Sequence, residues 1–256
     1  MNCLFVRTES FQQFIRYYPV ITALIAINTV LFVLMRLPVI GEVVRFYGVG
    51  QNMAVAMGEY WRLITPIFLH YGLMHFLFNT FGLIIFAPAL ERLLGRWKFI
   101  GLYLATGIAG NVGTYFLGPD YYAHLGASGA LYGLLGLYLY MVLFRKDLMD
   151  PASSQIVTTI LIIGFIYSII MPGINWYAHL FGFLCGLALG PLVFKGQMKY
   201  FTLMSDPAPT RSADPHKIRF DPRRWQKRHK HKQIGKYVLI GFVVFLIVLG
   251  LINSLR

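Results

Sequence analysis

Gly126-Ala127-Ser128-Gly129-Ala130-Leu131-Tyr132-Gly133 opens a long apolar segment that runs on past Tyr140 and ends at Arg145 and Lys146. Small residues crowd around one serine, so backbone and solvent can approach its hydroxyl closely. A serine in the first turn of a membrane helix also sits where unpaired backbone N–H groups and the helix dipole favour negative charge. Gly129, Gly133 and Gly136 recur at small-xxx-small spacing, so the segment taken alone reads first as a helix-packing face. The rest of the chain changes that reading.

The chain has 256 residues, of which 57% are hydrophobic and only 13% charged, and its mean hydropathy is +0.61. Soluble domains carry about 25% charged residues. Several apolar runs approach the roughly 20 residues that span a bilayer. The expected class is all-α, a polytopic membrane helical bundle.

The formal net charge is +13. Between Lys195 and Lys236 there are twelve Lys or Arg against Asp206, Asp214 and Asp221, which contributes +9 of that total. A basic segment beside a membrane span is the ordinary positive-inside signal and suits anionic lipid headgroups, so no nucleic acid is expected as a partner. Cys3 and Cys185 fit neither a disulfide framework nor a metal spacing. Arg7, Glu9 and Arg16 interrupt the N-terminus and no small-residue cleavage site follows, so the first apolar span reads as a retained anchor.

Spans are expected at residues 19–34, 73–90, 99–117, from Ser128 to Arg145, and at 155–170 and 176–194, with a seventh at 236–252. Residues 37–60 read as a loop too polar to span, because of Glu42, Arg45 and Glu59. The Lys/Arg excess falls on alternate connections, which orients the N-terminus to the cytoplasm and the C-terminus outside. The chain thus divides into a cytoplasmic segment (1–18), a six-helix core (19–194), a basic cytoplasmic linker (195–235) and an appended helix (236–256). Four linker prolines, Pro207, Pro209, Pro215 and Pro222, argue against a long helix there.

Polar residues inside spans are functional suspects. His75 lies 17 residues above Arg92, Ser128 lies 17 above Arg145, and His179 lies 16 above Lys195. At about 1.5 Å per residue, each is roughly 25 Å above the inner charged rim. In a hydrocarbon core of about 30 Å, all three sit a few ångströms below the outer surface. His179, Gly182, Gly186 and Gly190 form one stripe that matches the glycines of the Ser128 span. Close approach of the two would bring His179 within hydrogen-bond reach of Ser128, whose hydroxyl needs a base to become a nucleophile. His75 and Asn79, one turn apart, can donate to a developing oxyanion, as can the backbone near Ser128. Tyr132, one turn below Ser128, is placed to buttress the imidazole.

These residues resemble the rhomboid intramembrane serine proteases. The resemblance rests on Gly126-Ala127-Ser128-Gly129, on His70, His75 and Asn79 with Trp61-Arg62 before them, and on Ala178-His179 followed by Gly182 and Gly186. It covers roughly residues 15–194 and implies a rhomboid-like six-helix core with a Ser128–His179 dyad. It further implies an oxyanion site including His75 and Asn79, and supporting places for Tyr132, Gly126 and His70. No cofactor or metal is implied. Substrates would be single-span or membrane-anchored proteins of the cell membrane, entering laterally near spans two and five. His70 reads otherwise as a residue bonded to loop backbone, His124 as a loop bystander, and Trp61-Arg62 as structural. Ala87, followed by Pro88, stands where the family usually has a glycine four residues before Glu91.

The rival chemistries lack their residues. No histidine is followed by glutamate, as H-E-x-x-H zinc proteases require. No aspartate lies within an expected span to make a carboxylate dyad. The alternative from another class is a non-proteolytic rhomboid-like protein that binds membrane clients. Such relatives lose the serine or histidine or gain a proline beside the serine, whereas Ser128, His179 and Ala127 all stand here.

Overall fold

The structure, a computed structural model, describes residues 4–195. The linker beyond Lys195 and the seventh span lie outside the described residues, as does Cys3.

Helix α1, Phe11–Tyr17, starts at Ser10, whose hydroxyl accepts from the Gln13 N–H while the Gln13 side chain accepts from the Ser10 N–H. This reciprocal pair satisfies two donors that the helix itself cannot. Pro19 then begins α2, Pro19–Leu34, and the two axes meet at 107°. Proline suits a first helical position but constrains the residue before it, so the chain turns at Tyr18. The buried Glu91 carboxylate accepts from the N–H groups of Val20 and Ile21 at 3.0 and 3.1 Å. It thereby satisfies two of the orphan N–H donors in the first turn of α2 and places negative charge at the positive end of that helix.

Residues 37–60, expected as a loop, instead hold two helices: α3, Pro38–Gly48, and α4, Asn52–Ala56. Glu42 and Arg45 forbid a span but pair at 3.1 Å as an i,i+3 couple on one face of α3. Polarity excluded crossing the membrane; it did not exclude helix. Arg62 then ties this region together. Its buried guanidinium donates to the Phe46 and Val49 carbonyls at 2.6 and 2.7 Å and to Glu59 at 2.5 Å. Trp61 donates to the Tyr47 carbonyl at 3.1 Å. Phe46 and Tyr47 lie in the last turn of α3 and Val49 caps it, at a helix end where cations are favoured.

The remaining helices are α5, Leu73–Leu94; α6, Arg96–Leu117; α7, Ser128–Phe144; α8, Pro151–Ile170; and α9, Trp176–Val193. Helix α5 continues through Pro88, and Gly95, with φ +79°, makes the reversal into α6. A two-residue antiparallel bridge pairs β1, Gly50–Gln51, with β2, Ala123–His124. It joins the connection between α3 and α4 to the approach to α7.

Helices α5, α6, α8 and α9 are each long and apolar enough to cross a bilayer; the bent pair α1–α2 makes a fifth candidate. With 17 residues, α7 is apolar but shorter, about 25 Å at helical rise. The architecture is all-α and polytopic, as the composition suggests. Its tightest contact is between α7 and α9. A Cβ on Gly182 would collide with the Gly129 carbonyl, and one on Gly186 with the Gly133 carbonyl. Gly133 in turn faces the Thr106 side chain of α6. Of the four long apolar helices α8 is packed least: 22% of its apolar stretch is buried, against 28% for α9 and 39% and 44% for α5 and α6.

Candidate active site

Ser128 is the first residue of α7, and the turn that delivers it depends on Gly126. That glycine has φ +131°, a conformation L side chains rarely adopt, and its N–H donates to the Pro66 carbonyl at 2.8 Å. A Cβ at Gly126 would lie 2.6 Å from His75 Nε2 and 3.7 Å from Ser128 Oγ. The imidazole of α5 and the serine of α7 therefore close on the same small space.

His179 enters from α9. Asn175 caps that helix by accepting from the Ala178 N–H at 3.1 Å, and its amide donates to Thr114 Oγ1 on α6 at 3.0 Å. This pins the first turn of α9 against α6. His179 Nε2 lies 2.8 Å from Ser128 Oγ. The Tyr132 ring stacks on the imidazole, with centroids 4.1 Å apart and planes 8° from parallel. On the other side of the ring, Nδ1 lies 2.6 Å from Ser168 Oγ of α8. His179 is 6% exposed, so its ring orientation is set by these contacts.

His70, in the loop before α5, accepts from the Ala127 N–H at 3.4 Å and meets the His75 ring edge-on at 5.2 Å. Burial first, then the neighbouring His75, push its pKa down to about 3. A neutral ring leaves Nε2 free to accept, as this contact requires. His124 lies in β2 opposite Gly50, and burial pushes its pKa down to about 4. Asn79 donates through its amide to the His75 carbonyl at 2.8 Å. It joins the group through His75, and among the described residues its buried Oδ1 has no partner.

Five of the sequence-selected residues thus stand together: Ser128, His179, Tyr132, Gly126 and His75. His70 braces the backbone one residue before Ser128, and Asn79 braces the helix that carries His75. Two residues that sequence reasoning passed over matter to the geometry. Ser168 touches His179, and its one sequence signal is a hydroxyl two residues before the end of a largely apolar run. Glu91 enters the sequence reading only as the reference point for Ala87. Among the described residues, no group of three His, Cys, Asp or Glu side chains is placed to hold a metal ion.

Chemically, an imidazole nitrogen at hydrogen-bond distance from a serine hydroxyl can take its proton as attack begins. The first N–H groups of α7, the helix that Ser128 opens, have no acceptor within that helix. This is an arrangement for acyl transfer at a carbonyl, with a base, a nucleophile and nearby donors for an oxyanion.

Residues 57–196 match the family model described as the Rhomboid domain. Over 184 residues the chain is 50% identical to the "Putative rhomboid protease YdcA" of Bacillus subtilis (strain 168), covering 72% of this chain and 92% of that one. It is 36% identical over 140 residues to "Rhomboid protease GluP" of the same organism, covering 55% of this chain and 27% of the relative. It is 34% identical over 147 residues to "Rhomboid-type serine protease 2" of Emericella nidulans, covering 55% and 28% of the two chains. The matched region holds α5 to α9 and every residue of the site just described, so this multi-pass membrane protein belongs to the rhomboid family.

Proposed function

We propose that this protein is an intramembrane serine endopeptidase in which Ser128 is the nucleophile and His179 its general base. The observation that carries the reading is the 2.8 Å contact between His179 Nε2 and Ser128 Oγ, in a chain whose relatives are named as rhomboid proteases. A non-proteolytic client-binding role gives no reason for that contact. His75 and Asn79, with the first N–H groups of α7, form the oxyanion side of the site. Tyr132 supports the imidazole, while Gly126 and His70 shape the approach to Ser128.

The protein resides in the cell membrane with its N-terminus in the cytoplasm and the C-terminus outside. Residues 1–18 precede the six-helix core at 19–194. The basic linker at 195–235 meets anionic headgroups and leads to an appended seventh helix at 236–256. With Ser128 a few ångströms below the outer surface, a scissile bond reaches it from a helix end or an unwound segment. A peptide bond inside an intact helix is shielded by its own hydrogen bonds. Glycine, proline or polar residues near the outer end of a substrate span weaken the helix there. The small residues around Ser128 favour a small side chain beside the cut.

The test is cleavage of a single-span substrate by purified protein in liposomes, with the cut mapped by mass spectrometry. The expected cut falls near the outer membrane boundary, beside a small residue, and replacing the helix-breaking residues with leucine suppresses it. Equal cleavage of an all-leucine span, or a cut in the cytoplasmic half, overturns the depth and the orientation.

Asn79 makes a graded prediction. Loss of one oxyanion donor slows turnover by about 10²–10³. Because one amide hydrogen of Asn79 is already committed to the His75 carbonyl, Asn79→Ala is expected at the lower end, near 10²-fold, with KM little changed. Unchanged turnover would make the asparagine a brace for α5 and nothing more.

A further inference from the structure

The hydrogen bonds around Ser168 specify where the proton of His179 sits. A serine hydroxyl has one hydrogen to donate and two lone pairs to accept with. Ser168 Oγ has three neighbours: the Gly164 carbonyl oxygen at 2.6 Å, His179 Nδ1 at 2.6 Å and the Tyr132 hydroxyl at 3.0 Å. The carbonyl can only accept. Two oxygens 2.6 Å apart with no hydrogen between them would repel, so the hydroxyl hydrogen of Ser168 belongs to Gly164. Both remaining neighbours must then donate. The Tyr132 O–H can, and His179 can only if Nδ1 carries its hydrogen.

We propose that Ser168 is a positioning residue: with Tyr132 it holds resting His179 as the Nδ1–H tautomer and so leaves the Nε2 lone pair facing Ser128. The inference rests on the dyad reading and deepens it. In soluble triads a carboxylate does this work, and a partner that selects the wrong tautomer costs about 10⁴ in kcat. A neutral hydroxyl acts through hydrogen-bond direction alone, because its single hydrogen is already used elsewhere. The notch that lets Tyr132 reach this point is itself specific. A Cβ on Gly164 would lie 2.5 Å from the Tyr132 hydroxyl. The ring stack and the hydroxyl of Tyr132 thus serve one end, since the first fixes the plane of the imidazole and the second fills the other lone pair of Ser168. No other described helix supplies a hydrogen-bond partner to His179 Nδ1, and the supplier, α8, is the least packed of the four long apolar helices. Base orientation therefore depends on α8 staying seated against α7 and α9.

The experiment uses full-length protein in lipid nanodiscs with ¹⁵N-labelled histidine, the His179 signals being assigned by their loss in His179→Asn. Expected in the unsubstituted protein is a protonated Nδ1 and an unprotonated Nε2. Ser168→Ala is expected to give mixed tautomers and to lower kcat by about 10–100-fold, the scale on which losing the partner that orients a metal-binding histidine costs activity, with KM unchanged. Ser168→Thr, which retains the hydroxyl and its bond to the i−4 carbonyl, restores both readouts. A protonated Nε2 in the unsubstituted protein overturns the proposal without need of any variant. So does Ser168→Ala with unaltered kcat and tautomer. Normal cleavage by Ser128→Ala would overturn the dyad reading instead, while the tautomer measurement stands apart from it.

Discussion

Purified Ser128→Ala and His179→Ala are each expected to lose cleavage of a single-span substrate by about 10⁶-fold, the scale on which soluble serine proteases lose turnover when either partner is removed. The effects should not multiply. Serine without its base is a weak nucleophile, and an imidazole facing alanine has nothing to deprotonate, so the double variant should be no slower than either single one. Folding should survive. Ser128 opens α7, and among the described residues its hydroxyl bonds only His179, a contact the fold does not need. His179→Ala removes a ring whose neighbours, Tyr132 and Ser168, still bond each other at 3.0 Å. The measurement is turnover in liposomes, with a fluorophosphonate as a second readout that should label Ser128 and leave both variants unlabelled. Near-normal cleavage by Ser128→Ala would remove the nucleophile assignment altogether.

What was legible in the sequence follows from what each signal encodes. Apolar length and terminal charge located the helices well. The first expected span, 19–34, coincides with α2, and the fifth, 155–170, misses only the Pro151 start of α8. Helical periodicity put Tyr132 one turn below Ser128, and the structure stacks it on His179. The paired glycine stripes anticipated that α7 and α9 would touch, and they touch backbone to backbone.

The misses share one cause. Residues 37–60 were judged by whether they could cross a membrane, a test that an amphipathic helix such as α3 fails while remaining helical. Ser168 and Glu91 act between helices, on His179 in α9 and on the start of α2. The rotation of one helix about its axis relative to another is not written in either helix alone. His124, passed over as a loop residue, is 7% exposed in the bridge that joins the connection between α3 and α4 to the approach to Ser128. Its burial depends on Gly50, 74 positions earlier, whose missing side chain makes room for the ring.

Gly182→Leu should disable the enzyme at a distance from its chemistry. Gly182 lies one turn below His179 on the same face of α9, and a Cβ there would collide with the carbonyl of Gly129, the residue after Ser128. The obstacle is backbone, so no side-chain rotation relieves it; the Thr106 carbonyl, 3.3 Å away, closes another side. The helices must part, and they part where the imidazole meets the serine. Overpacking of this kind costs about 1–3 kcal/mol of stability, whereas a misplacement of about 1 Å in a reacting pair costs about 10²-fold in rate. A leucine demands a larger displacement than that, so turnover should fall by well over 10²-fold, with Gly182→Ala intermediate. Gly101→Leu is the matched control, because a Cβ at Gly101 meets nothing within 4 Å. It should retain turnover despite adding the same side chain to a neighbouring span. Comparing fluorophosphonate labelling rate with thermal stability for the three variants separates a displaced dyad from a melted bundle. Gly182→Leu with wild-type turnover would mean that the close seat of α9 on α7 is not what holds His179 against Ser128.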